Sequence, residues 1–110
     1  MDNIWSVPDF LNALDAAALL PGKGETVLLA GKRIAVFNVD GQFYALDDDC
    51  PHRGGPLGPG WVEAGKCTVA CPLHGWEFDI KTGACLTVPA RPVRAYPVRV
   101  VEGKVEVGVQ

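Results

Sequence analysis

Four residues of this 110-residue chain fall into a doubled pattern suited to metal chemistry, Cys50-Pro51-His52 and Cys71-Pro72-Leu73-His74. Both histidines of the chain and two of its four cysteines are used in it, with eighteen residues between His52 and Cys71. Thiolate and imidazole are ligands that metals accept together. Each pair sits in a turn-rich loop, where Pro51 and Pro72 stiffen the backbone while Gly54, Gly55 and Gly75 let it approach an ion or cluster closely. In an extended chain Cys50 and His52 would project to one side with α-carbons about 6.5 Å apart, a spacing that suits two adjacent metal ions better than one.

Three chemistries compete for these residues. Buried thiols and surface histidines without a metal would require the doubled motif to arise by coincidence between two rare residue types. A tetrahedral zinc site would accept two thiolates and two imidazoles and make the chain a zinc-stabilised binding module, although structural zinc motifs group Cys with Cys and His with His. A two-iron two-sulfur cluster in which two imidazoles replace two thiolates on one iron would take one Cys and one His from each loop. A second cofactor finds no place: no GxGxxG follows a strand, no P-loop occurs, and both histidines are already engaged, which leaves none for a mononuclear 2-His-1-carboxylate iron.

The rest of the chain must position the two loops. Its length and 48% hydrophobic content fit one domain, residues 1–110, with one core. The formal net charge of −3 argues against a nucleic-acid or anionic-membrane partner. Thirteen Gly and nine Pro favour turns and short strands over a helical bundle. The start Met1-Asp2-Asn3 is acidic, and the longest apolar stretch, Ala16 to Leu20, stops at Pro21-Gly22, so neither a secretory leader nor a membrane span is expected. A cytoplasmic location follows as an expectation, and there thiols stay reduced rather than pairing as structural disulfides.

Phe10, Leu11, Leu14, Ala18 and Leu19 recur at near-helical spacing after Ser6 and Pro8, which predicts one N-terminal helix over Val7 to Leu20. Strands are predicted at Thr26–Ala30, Arg33–Val39, Gln42–Leu46, Val93–Val101 and Lys104–Val109. Asp40-Gly41 and Glu102-Gly103 predict hairpins between them. The two strand-rich ends enclose a stretch of different character, Asp47 to Ala90, which carries both loops. Trp5 and Trp61 are expected to pack. Arg91, Arg94 and Arg99 are expected on a solvent face, and Asp47-Asp48-Asp49 in a solvated turn.

The loops Cys50-Pro51-His52-Arg53-Gly54-Gly55 and Cys71-Pro72-Leu73-His74-Gly75-Trp76 resemble the two cluster-binding loops of the Rieske family. The likeness extends to Ile34-Ala35-Val36-Phe37 and Tyr44-Ala45-Leu46 before them, to Phe78-Asp79 and Thr82-Gly83 after them, and to Tyr96-Pro97-Val98-Arg99-Val100 near the end. The resemblance implies an all-β fold, an antiparallel β-sandwich or barrel with a small cluster-binding subdomain at residues 47–90. It also implies a [2Fe-2S] cluster, with Cys50 and Cys71 on the inner iron and His52 and His74 on the outer one, imidazole edges near solvent. High-potential members carry an extra cysteine in each loop, joined as a disulfide, and the corresponding positions here hold Gly55 and Leu73. Those members also place serine and tyrosine hydroxyls against the cluster, where this chain has Trp76 and Phe78. Donors to cluster sulfur stabilise the added electron, so their loss implies a potential toward the low end of the Rieske span of about −150 to +300 mV. Cys67 and Cys85 lie outside both pairs.

By the same resemblance the chain is expected to carry single electrons, with no catalytic residue of its own. It is similar to ferredoxins that pass electrons from a flavin-dependent reductase to the terminal oxygenase of an aromatic-ring dioxygenase system, which implies a monomer when free. The alternative is the Rieske-like small subunit of an NAD(P)H-dependent nitrite reductase, held by a large subunit. Some of those subunits lack ligands, whereas Cys50, His52, Cys71 and His74 are all present here. Ferric iron beside imidazole favours loss of the second ring proton, so reduction is expected to couple to proton uptake at His52 or His74. Trp76, close to His74 in sequence, would shield the cluster, meet a partner, or simply pack.

Overall fold

The computed structural model of the chain describes residues 9–52 and 54–109. Trp5, Ser6, Val7, Pro8 and Arg53, invoked above, lie outside the described residues. Among the described residues ten strands run in the order β1 (Asp9–Asp15), β2 (Lys23–Leu29), β3 (Lys32–Val39), β4 (Gln42–Asp47), β5 (Trp61–Glu63), β6 (Thr68–Ala70), β7 (Glu77–Asp79), β8 (Ala95–Tyr96), β9 (Val98–Val101) and β10 (Lys104–Val109). They form three antiparallel sheets, β1-β10-β9, β2-β3-β4-β8 and β5-β6-β7. Among the described residues no helix is long and apolar enough to cross a membrane.

The four-stranded sheet is the middle layer, and β3 shows why. Ile34 to Val39 are all buried. Ile34 and Val36 pack with Val105, Val107 and Val109 of β10, whereas Ala35, Phe37 and Val39 pack with Leu57, Val69, Phe78 and Ile80 around the small sheet. Successive side chains of a strand point to opposite faces, so a strand covered on both sides reads as an unbroken apolar run. Of the predicted strands, those at Thr26–Ala30, Arg33–Val39, Gln42–Leu46 and Lys104–Val109 are present within a few residues of the expected bounds, as are both predicted hairpins. Ala30-Gly31, Asp40-Gly41 and Glu102-Gly103 are two-residue turns with positive φ at both positions, the backbone of a type I′ hairpin.

Over its described residues, 9–20, the helix predicted for Val7 to Leu20 is not formed. Asp9–Asp15 is strand β1, paired antiparallel with β10, and only Ala16–Ala18 makes a single 3₁₀ turn. The pairing slips between Asn12 and Leu14, a β-bulge that puts Leu11 and Leu14 on the same buried side although they are three residues apart. A bulged strand thus imitates the spacing of a helical face.

The run Val93–Val101 is likewise divided. Pro97 has no N–H to give a ladder, and the chain crosses there from the middle sheet, where β8 pairs with β4, to the outer one, where β9 pairs with β10. Tyr96 anchors that crossing by donating its hydroxyl to Asp47 Oδ1 at 2.5 Å. Burial, that hydrogen bond and the Asp47 charge push its pKa up to about 12, against a smaller opposing pull from Arg94. An unfolded tyrosine titrates near pH 10. The unfolded state therefore releases this proton first, and the contribution of Tyr96, intact below pH 10, is lost as pH rises from about 10 to about 12. Denaturant midpoints should fall across that window, and Tyr96→Phe should flatten that part of the fall.

Candidate metal centre

The two Cys/His loops are built alike. In the first, the Gly54 N–H donates to the Cys50 carbonyl at 2.7 Å and the Cys50 N–H to the Gly55 carbonyl at 2.7 Å. In the second, the Gly75 N–H donates to the Cys71 carbonyl and the Cys71 N–H to the Trp76 carbonyl, both at 2.8 Å. Each loop closes on the fourth and fifth residues after its cysteine. Gly54 and Gly75 sit at φ +74° and +72°, a left-handed conformation that side chains disfavour. Equal spacing in the sequence has become equal backbone shape.

The loops hang from different elements but meet at their tips. The first follows β4 and is tied back by the Asp49↔Pro56 bridge; the second connects β6 to β7. Their cysteines are directed inward, with Cys50 and Cys71 buried in the core cluster that also holds Leu57, Val69 and Phe78. The histidines meet at the surface, their ring centres 4.3 Å apart and their planes at 86°. His52 is exposed and His74 half-buried. A Cβ placed on Gly55 would lie 3.2 Å from Cys71 Sγ and 2.8 Å from Leu73 Cδ1, so loop one passes closely over loop two where a side chain would not fit. Gly55 and Leu73, the positions matched to the inter-loop disulfide of high-potential members, do face each other, without thiols.

His74 Nδ1 is buried and has no hydrogen-bond partner. Leaving such a nitrogen unsatisfied costs about 1–3 kcal/mol, and a bond from that nitrogen to a metal would remove the deficit. Two buried thiols, two touching imidazoles and an orphaned ring nitrogen fit a cluster bridged between the loops.

The surroundings of the site depart from expectation at two places. Asp47-Asp48-Asp49 is not a solvated run, because Asp48 is fully buried and accepts hydrogen bonds from Thr26 Oγ1 at 2.7 Å, Arg33 Nη2 at 3.0 Å and the Gly58 N–H at 2.8 Å. It pins both ends of the first loop to β2 and β3. Strand parity carries the signal: Asp48 lies two residues beyond buried Leu46 and so on the same face. Trp61, expected to pack, stands 71% exposed on β5. The arginines are exposed as expected, and Arg91 Nη1 reaches the Pro51 carbonyl at 3.2 Å, a brace on the first loop that sequence gave no sign of. Among the described residues no disulfide joins two cysteines. Burial pushes the Cys67 thiol up, partly offset by Lys81, away from the lowered pKa of a reactive cysteine.

Comparison with known proteins decides the family. A profile described as the Rieske-like [2Fe-2S] domain matches residues 9–108. The chain belongs to the Rieske-like [2Fe-2S] domain family. This Rieske domain is 47% identical over 79 residues to the anthranilate 1,2-dioxygenase ferredoxin subunit of Burkholderia cepacia, covering 71% of each chain. A ferredoxin-sized chain from the complex of reduced oxygenase and oxidised ferredoxin of carbazole 1,9a-dioxygenase superposes with a TM-score of 0.81 at 33% identity, over 90% of this chain and 92% of that one. A Mycobacterium tuberculosis protein assigned as the small subunit of an NADH-dependent nitrite reductase superposes with a TM-score of 0.88 at 31% identity, over 96% and 98%. The Rieske fold and its [2Fe-2S] cofactor thus follow from the family, and the division of roles among the four side chains remains a matter of chemistry.

Proposed function

We propose that Cys50, His52, Cys71 and His74 hold the [2Fe-2S] cluster, and that the chain carries single electrons from a flavin-dependent reductase to a terminal oxygenase in the cytoplasm. The observation that carries this is the polarity of the site: two thiols buried in the core, and two imidazoles in contact at the surface with one ring nitrogen left unsatisfied. Residues 1–110 act as one domain, in which about residues 47–90 serve as the cluster-holding unit on the middle sheet. When bound, the cluster supplies a one-electron couple. The protein's own part is to exclude water from the sulfur end through Leu57, Val69 and Phe78, and to leave the His52 edge in reach of a partner.

No hydroxyl is present at Trp76 or Phe78 to donate toward the cluster. The potential is therefore expected in the lower part of the span of about −150 to +300 mV, and a titration that places it near the upper end would contradict the argument. The likeness to a nitrite reductase small subunit supports a second reading, permanent residence on a large enzyme. Gel filtration with stopped-flow mixing separates the two. A coloured monomer whose reduced form is rapidly reoxidised by a dioxygenase terminal component supports the carrier; a chain that is insoluble alone and copurifies with a sirohaem reductase supports the subunit.

A further inference from the structure

The two loops share a backbone and differ in side chains, and the differences interlock. Counting from each cysteine, the second position is His52 in one loop and Leu73 in the other, and the fifth is Gly55 and Trp76. Leu73 occupies the space that a side chain on Gly55 would need. Trp76 reaches the opposite way, its indole stacked on the His52 imidazole with centres 4.7 Å apart and planes at 28°. His74 meets His52 edge-on at 86°.

Trp76 is well placed to impose an orientation. Its side chain packs against the buried cluster of Val69, Phe78 and Cys71, and its carbonyl accepts the Cys71 N–H at 2.8 Å, so both ring and backbone are fixed by the core. His52 is exposed. A bond at one ring nitrogen would restrain that nitrogen while leaving the ring plane freer to turn, whereas a stacked indole restrains the plane itself.

We infer that Trp76 is a positioning residue for His52: stacked across the loops, it fixes the plane of the exposed imidazole and keeps water from one of its faces. The inference rests on the proposal that His52 is a ligand. Its consequence is a single, preset geometry at the edge a partner meets, supplied by a side chain that holds no metal itself.

The test uses the cluster-loaded chain and three variants, Trp76→Phe, Trp76→Leu and His52→Cys. Phenylalanine keeps a flat face and is expected to retain the wild-type electron paramagnetic resonance line widths of the reduced state. Leucine keeps apolar bulk without a ring plane and is expected to broaden those lines, as imidazole orientations spread. It should also move the potential upward, because water reaching His52 stabilises the added negative charge. Rescue by phenylalanine separates positioning from packing. Equal line widths and potential in wild type and Trp76→Leu would overturn the inference. Should the leucine chain fail to fold, Trp76→Met offers the same bulk without a ring plane and is read the same way. An unchanged spectrum in His52→Cys would instead remove the ligand assignment on which the inference stands.

Discussion

Cys71→Ser is expected to yield a chain that does not retain iron. Cys71 has no exposed surface and lies at the close crossing of the two loops. A serine oxygen is a poor substitute for the thiolate that Cys71 is proposed to give the iron. Loss of a residue that merely orients a ligand lowers metal affinity by about 10–100-fold, and loss of the ligand itself is expected to exceed that. Cys67→Ser is the control. Its thiol lies outside the loops with its pKa raised by burial, and iron content should be unchanged. His52→Cys tests the other end of the site with a sharper signature. It should retain a cluster whose potential falls toward the about −400 mV of plant-type ferredoxins, because a third thiolate stabilises ferric iron. Iron and sulfide analysis together with a potentiometric titration reads all three variants, and an iron-replete Cys71→Ser chain would contradict the assignment.

Asp48→Ala is expected to be the most damaging substitution away from the proposed ligands. The carboxylate is fully buried and accepts from Thr26, Arg33 and the Gly58 N–H, so it joins two strands of the middle sheet to the loop that carries Cys50 and His52. Removing one partner of a buried ion pair costs about 3–5 kcal/mol. Arg33 keeps half of its side chain in water, which places the expected loss near about 3 kcal/mol. At about 4–8 °C per kcal/mol for a small domain, the thermal midpoint should fall by about 12–24 °C. Asp48→Asn keeps acceptor oxygen for Thr26 or Gly58 and should lose less. Thermal melts of the loaded chain read the difference, and a fall of only a few degrees in Asp48→Ala would show that the loop is held by other contacts.

The strands and hairpins were legible wherever local chemistry dominates. Asp40-Gly41 and Glu102-Gly103 demand positive φ, and the alternation of Val105, Val107 and Val109 survives as one buried face of β10. The first strand was not legible, because the bulge between Asn12 and Leu14 breaks period two and leaves the three-residue spacing of Leu11 and Leu14. Pro97 was visible as a residue, but its effect, a crossing between sheets, depends on partners at β4 and β10 far away in sequence.

The site divides in the same way. Its four candidate ligands stood out because two rare residue types repeat at related spacing, and the repeat reappears as matching hydrogen bonds in the two loops. What lay beyond the sequence is how the loops meet: the stack of Trp76 on His52 and the seating of Leu73 over Gly55 join residues from two loops that no spacing rule connects. Trp61 shows the reverse error, since a large apolar residue is expected inside and this one is exposed. Asp48 was hidden by its neighbours, an acidic residue within an acidic run whose burial follows only from strand parity.

One Cys and one His from each loop are proposed to hold a two-iron cluster. The most direct test is metal and acid-labile sulfide analysis of the purified chain, with electron paramagnetic resonance of the reduced form. About two iron and two sulfide per chain are expected, with a spectrum whose nitrogen couplings arise from two imidazoles. One zinc per chain with no labile sulfide, or an iron-sulfur spectrum without nitrogen coupling, would contradict this assignment.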